Sequence, residues 1–359
     1  MSLPYKLPIP RSLVVLYLPF VLLLSACSPL YVLRAAYEEG KILWRRQPIT
    51  ALLEKPDLGQ ETQDKLRLVL AVREYARDRL KMNVGGSYSS YSYVDRTDLT
   101  YILTAAPRTE LIPYTWWFPI VGRVPYKGFF SKEDAKTAAQ RLQGEGYDTN
   151  LRTSAAFSTL GWFDDPLLAH LLKYDQVALA DVIFHELFHN TLYVKGAGNF
   201  NESVANFVGG RAAIEFFREQ SGDGSWAYQT ALRRWQEELE FSEFIERLAD
   251  SLGELYGRKI PEEEKLRFRE EIFAQGKKEW DERIANRPSH RFRGFSKQPI
   301  NNAVLIHYIL YLKNLRLFEE LYQAKAKHLT SVIEAIRDAV KDGGDPFDAV
   351  RGLLTGVSG

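Results

Sequence analysis

The chain has 359 residues, 45% of them hydrophobic and 13% aromatic, enough apolar side chain for a sizeable core beneath a surface carrying 26% charged residues. Its 47 basic and 46 acidic side chains leave a formal net charge of +1, which excludes the strongly basic footprint of a nucleic-acid binder. A single cysteine excludes an intramolecular disulfide and a CxxC metal site.

The first thirty residues read as an address. Lys6 and Arg11 precede a run from Leu13 to Leu24 that is apolar apart from Tyr17 and Pro19, followed by small residues, the pattern of a secretory signal. A spanning helix needs roughly 20 apolar residues, and Pro19 interrupts this one. Leu24-Ser25-Ala26-Cys27 resembles a bacterial lipobox, which implies removal of residues 1–26 and acylation of Cys27. Ser28 after it suggests the outer membrane, with the mature chain facing the periplasm and held by acyl chains. The alternative is a plain secretory signal.

Apolar residues recur at helical spacing from Tyr31 to Gln47 and from Gln60 to Met82, with a turn at Lys55-Pro56-Asp57 between them. From Asn83 to Leu160 the composition shifts to Tyr, Ser, Thr and Val, which predicts a small mixed or antiparallel sheet including Leu99 to Ala106 and Thr149 to Phe157. A helix from Lys132 to Gln143, capped by Ser131, interrupts it. Asp165 is placed to cap a helix opened by Pro166. Residues 221–225 read as a polar linker into a charged helical hairpin, Trp226 to Leu252 and Pro261 to Asn286, whose charges between Glu262 and Arg283 read as a solvated face. The Arg-rich loop from Arg287 to Arg293 is placed to rest on an acidic neighbour. Helices resume from Asn301 to Tyr322 and from Ser331 to Val340, with Asn301 and Asn302 as caps. The expected fold is α+β and predominantly helical. Residues 27–220 make a catalytic region, 221–300 a helical insertion, and 301–359 helices that return to it.

The chemistry concentrates in HELFH, residues 185–189. The segment from Val177 to Leu192 is apolar on nearly every side, so its helix is expected to be buried. Asp181, His185 and His189 are spaced by four and share one face. Two imidazoles one turn apart suit a single zinc ion. A catalytic zinc takes three protein ligands and a water whose pKa it lowers towards neutrality. Glu186 is placed to take that water's proton as general base and pass it to a leaving amine. The chain then turns through Gly196-Ala197-Gly198-Asn199 and re-enters a helix at Asn201, a reasonable N-cap. That puts Glu202 in the first turn as the third ligand. Small residues along the Glu202, Ala205, Gly209, Ala213 face would let the two helices approach closely. Asn206, one turn on, and Asp181 are expected behind the ligands, Asn206 by steadying a histidine ring. Tyr193, Tyr311, Tyr308 and His307 are open alternatives for the donor to a tetrahedral oxyanion.

HELFH followed by NESVAN (201–206) resembles the gluzincin metallopeptidases, in which a glutamate on the next helix completes the metal site. The lipobox together with PYTWWFPIVGRVPYKGFF (113–130), STLGWFDDP (158–166), HELFHNTLYVKG (185–196), NESVANFV (201–208) and NNAVL (301–305) is similar to a predicted bacterial aminopeptidase family of zinc lipoproteins. The resemblance spans nearly the whole mature chain. It implies a zincin-like core, zinc on His185, His189 and Glu202, catalysis by Glu186, and a peptide substrate. Trp117 and Arg123 stand where relatives carry cysteines, so no disulfide is implied there. A GxMEN-like segment is absent from the sequence, leaving exopeptidase and endopeptidase action both open. Gluzincins take substrate as a strand added to a sheet edge, and the run from Thr153 to Leu160 is the candidate edge. The rival reading is a lipoprotein that keeps zinc structurally and serves as an envelope binding or assembly factor. A zinc hydrolase of other substrates would use the same residues.

Overall fold

The computed structural model describes residues 40, 42–93, 100–118, 122–154 and 164–355. The expected signal segment, Cys27 and most of the first expected amphipathic stretch lie outside these residues, as do 155–160 of the candidate edge. Among the described residues no helix is long and apolar enough to cross a membrane.

The architecture is α+β and predominantly helical. Strand β1 (Gln47–Pro48) and a short helix α1 (Ile49–Leu53) precede helix α2 (Gln60–Asp78), whose Leu66, Val69, Val72 and Tyr75 turn inward. Strand β2 (Ser90–Ser92) pairs antiparallel with β1 and parallel with a later strand, Leu167–Leu168. The Tyr/Thr/Val-rich region yields β3 (Thr100–Pro107), β4 (Trp116–Phe118), β5 (Gly122–Val124) and β6 (Lys127–Phe129). Helix α3 (Lys132–Gly144) follows, with Ser131 Oγ accepting from the Asp134 N–H at 3.2 Å as its cap. Strand β7 (Tyr147–Ser154) then lies antiparallel to β3 over its whole length. The sheet order β6-β3-β7 leaves β7 at an edge.

Asp165 does not cap a helix. Leu167–Leu168, here β8, pairs with Tyr91 and Ser92, and this ladder overrides the local Asp-Pro signal. The preceding Asp164 instead accepts the Gly86 N–H at 2.7 Å. The cap of the next long helix is Asp175, whose side chain accepts from Val177 and Ala178. That helix, α4 (Gln176–His189), and α5 (Gly198–Ser221) form the centre of the molecule. Phe184, Phe188, Phe200 and Phe207 are fully buried between them and their neighbours, each contributing roughly 1.5–3 kcal/mol of apolar burial.

Helix α6 (Trp226–Gly257), capped by Ser225, packs on α5, and α7 (Glu262–Arg283) packs back along α6. On α7 one charge is not solvated. Arg269 is buried and donates to Asp148 of β7 at 2.7 Å, tying the sheet edge to the helices. The Arg-rich loop does meet acidic neighbours, Arg287 on Glu240 and Arg291 on Glu238.

The single helix expected from Asn301 to Tyr322 is two, α8 (Asn302–Leu312) and α9 (Leu315–Ala324). Asn314 between them adopts a left-handed conformation at φ 58°, which breaks the helix. Asn301 caps α8 by accepting from Val304, whereas Asn302 is buried and donates to the carbonyls of Pro107 and Glu110. Helix α10 (Leu329–Ala339) matches expectation; α11 (Pro346–Thr355), opened by Asp345-Pro346, was not foreseen from the sequence.

Candidate metal centre

Helix α4 is buried around HELFH because every other face of that segment is apolar, so its polar stripe has one outlet, towards α5. Helix α5 begins at Gly198, earlier than Asn201. Asn201 is not its cap but lies within it, accepting from the Val194 N–H and donating to the Val194 carbonyl, both at 2.8 Å. This pins the loop between the helices. It also moves Glu202 from the first turn to the second, where its carboxylate projects across to α4.

His185, His189 and Glu202 come together. The two Nε2 atoms are 3.2 Å apart, and Glu202 Oε2 lies 3.3 Å from His185 Nε2 and 3.7 Å from His189 Nε2. Donors held about 2.0–2.2 Å from a tetrahedral zinc must stand about 3.3–3.5 Å from one another, so the three atoms already have nearly the spacing such an ion requires. The residues therefore fit a small divalent metal. Among the described residues no fourth His, Cys, Asp or Glu joins the group.

The electrostatics agree. Burial opposes charge on His185, but Glu202, Glu186 and Asp181 outweigh it and raise its pKa to about 9. Burial likewise opposes the Glu202 carboxylate, yet the two histidines hold it well below the usual carboxylate range. Three carboxylates, Glu202, Glu186 and Asp181, thus favour positive charge at this cluster. Asp181 is raised to about 6, first by burial and then by Glu238.

The close approach of the helices rests on Gly209. A Cβ there would stand 2.7 Å from Asp181 Oδ1, 2.9 Å from the Asp181 carbonyl oxygen and 3.2 Å from His185 Cβ. Asn206, expected to steady a histidine ring, has other partners: its amide donates to Glu238 at 2.7 Å and to the Tyr311 carbonyl at 3.2 Å. Glu238 in turn accepts from Arg291 at 2.5 Å. The network braces α8 and the Arg-rich loop behind the metal helix. His189 Nδ1 is buried without a protein partner among the described residues.

Of the expected oxyanion donors, Tyr311 sits close to the ligand group, its ring 6.3 Å from that of His185. Burial first, then Glu202, raises its phenol, and Arg152 of β7 donates to its hydroxyl at 3.5 Å. Tyr193 is 41% exposed and lines a cavity of about 500 Å³ that opens beside Glu202. Tyr308 accepts from Gln298 at 3.1 Å, away from the metal group. His307 is pushed down to about 3 by burial, with Arg152 adding to the effect.

Two tyrosines were missed. Tyr126, between β5 and β6, lines the same cavity, and its phenol is raised by burial and by the charges of Glu202 and Glu186. Tyr88 is 3% exposed and feels the Glu186 charge, with its backbone in the left-handed region at φ 58°. A bulky side chain there is strained, a mark often found at functional sites. The only sequence signals were Val124-Pro125-Tyr126 and the neighbouring Gly85-Gly86.

Residues 30–343 match the model of a family described as "Putative aminopeptidase". Neither a curated protein nor a solved structure matches the chain.

Proposed function

The chain belongs to the putative aminopeptidase family, and from that premise we propose that it is a zinc-dependent metallopeptidase with a zincin-like core, His185, His189 and Glu202 being the ligands. The observation that carries this reading is the spacing of three donor atoms, 3.2, 3.3 and 3.7 Å apart, close to the separation around a tetrahedral ion, with the charge of Glu186 acting on His185. Three ligands without a fourth among the described residues favour a catalytic over a closed structural site.

Zinc, when bound, supplies a Lewis acid that acidifies water and polarises a carbonyl. Glu186 takes the proton of the attacking water and returns it to the leaving amine. Tyr311 and Tyr126, kept protonated by burial and by carboxylate charge, offer hydroxyl donors for the developing oxyanion. The β7 edge takes the peptide backbone as an added strand. Cys27 carries the acyl anchor that holds the chain at the periplasmic face of the outer membrane.

The test is zinc analysis of the purified mature chain, paired with cleavage of N-terminally free and N-terminally blocked peptides. Stoichiometric zinc with release of single amino acids from the free peptides is expected. Zinc without hydrolysis of either set would return the chain to the structural-zinc reading.

A further inference from the structure

The cavity beside Glu202 has walls from five places: the β4–β6 region from Pro113 to Tyr126, the loop after α4, the start of α5, the end of α8 and the start of α11. It also carries an unbalanced charge. Five of its lining side chains are ionisable carboxylates or strong bases: Arg123, Lys195, Lys313, Glu202 and Asp345. Both acids are already engaged. Glu202 belongs to the metal group, and Asp345 caps α11, accepting from Phe347 at 2.8 Å and Asp348 at 3.1 Å.

The bases are not. Arg123 donates to the Thr115 hydroxyl at 3.2 Å, Lys313 Nζ stands 5.4 Å from the centre of the Phe347 ring, and Lys195 is exposed. None of the three forms an ion pair among the described residues. One wall adds to the same sign. Ala197, at the start of the 24-residue helix α5, provides no side-chain acceptor for the first N–H groups. Each exposed cation alone is weak. Gathered in a concave site with protein walls, they focus a positive potential.

We propose that this cavity is a specificity pocket for a carboxylate of the substrate, either the side chain of an aspartate or glutamate flanking the cleaved bond or a free C-terminus one residue beyond it. The inference rests on the peptidase reading for the bond that is cut, but not for the recognition itself. A neutral or cationic side chain gains nothing from the three bases, whereas a carboxylate reaches them while the scissile carbonyl stays near Glu202.

The test separates recognition from turnover. Zinc-loaded Glu186→Gln protein is titrated calorimetrically with three matched peptides: a C-terminally amidated alanine tripeptide, the same amide with glutamate second, and alanyl-alanine with a free carboxylate. One of the two acidic ligands should bind about tenfold more tightly than the neutral amide, and which one identifies the source of the carboxylate. Added salt should narrow the gap. Combining Arg123→Gln, Lys195→Gln and Lys313→Gln should collapse the ratio to near one, with the circular dichroism unchanged. Equal binding of all three peptides would overturn the proposal, as would a preference that survives the triple change. Turnover of the same peptides by the native protein reports on the peptidase reading separately. A binding preference without turnover keeps the pocket and removes the peptidase, and turnover without a preference does the reverse.

Discussion

Glu202 Oε2 stands 3.3 Å from His185 Nε2 although the two residues belong to different helices. Burial alone would penalise that carboxylate, so its place there needs the positive partner that a metal or a protonated imidazole provides. Glu202→Gln keeps the shape and removes the charge. Zinc affinity should fall at least about 100-fold, since losing a group that merely orients a ligand already costs roughly 10–100-fold. Competition against a chelator of known affinity measures it. An unchanged affinity would remove Glu202 from the metal site.

Glu186 separates metal binding from catalysis. Glu186→Gln should retain equimolar zinc while the turnover number drops by about 10²–10⁴, the range for loss of a general base. His185→Ala should lose both. Metal content and peptide hydrolysis measured on the same preparations decide it, and undiminished turnover in the glutamine variant would end the proposed role.

What could be read from the sequence was what is local. His185 and His189 are four apart on a helix that must be buried, so helical geometry alone brings their rings together, and the turn at 196–199 returns the chain with Glu202 in reach. Readings failed where a distant partner outranked a local signal. Asn201 looks like a cap, but both polar atoms of its amide are taken by Val194, and the helix starts before it. Asp165-Pro166 looks like a helix start, but the next two residues pair with β2. Tyr126 and Tyr88 could not be singled out among 19 tyrosines, because only the tertiary fold places them near the carboxylates. The break at Asn314 and the Asp345-Pro346 helix start were readable signals that the periodicity obscured.

Gly209 tests the helix contact itself. Alanine normally stabilises a helix interior by roughly 0.5–1 kcal/mol over glycine. At Gly209 the new methyl would meet a backbone oxygen at 2.9 Å and the Cβ of His185 at 3.2 Å, so the helices must part. Gly209→Ala should cost about 1–3 kcal/mol and weaken zinc binding as well. Gly253 in α6, with nothing within 4 Å of its virtual Cβ, is the control and should gain stability when changed to alanine. Chemical denaturation and chelator competition compare the two. Equal gains in both variants would mean that α4 and α5 are not in close contact at this point.

His170 gives the fold a pH dependence that is independent of the metal. It is 7% exposed, and burial, with Lys173 nearby, lowers its pKa to about 4. An unfolded chain takes the same proton at about 6.5, so between those values the unfolded state binds more protons and stability rises with pH. Its contribution is fully present above about 6.5 and is lost as the pH falls towards 4. In metal-free protein His185, raised to about 9, works in the opposite sense, adding stability below about 6.5 that fades as the pH climbs through 9. The difference between native protein and a His170→Asn variant isolates the first effect. With chelator present, urea unfolding at pH 7.5 and pH 4.5 should show the native protein losing on the order of 2 kcal/mol more than the variant. Equal losses would mean that His170 keeps its ordinary proton affinity in the folded chain.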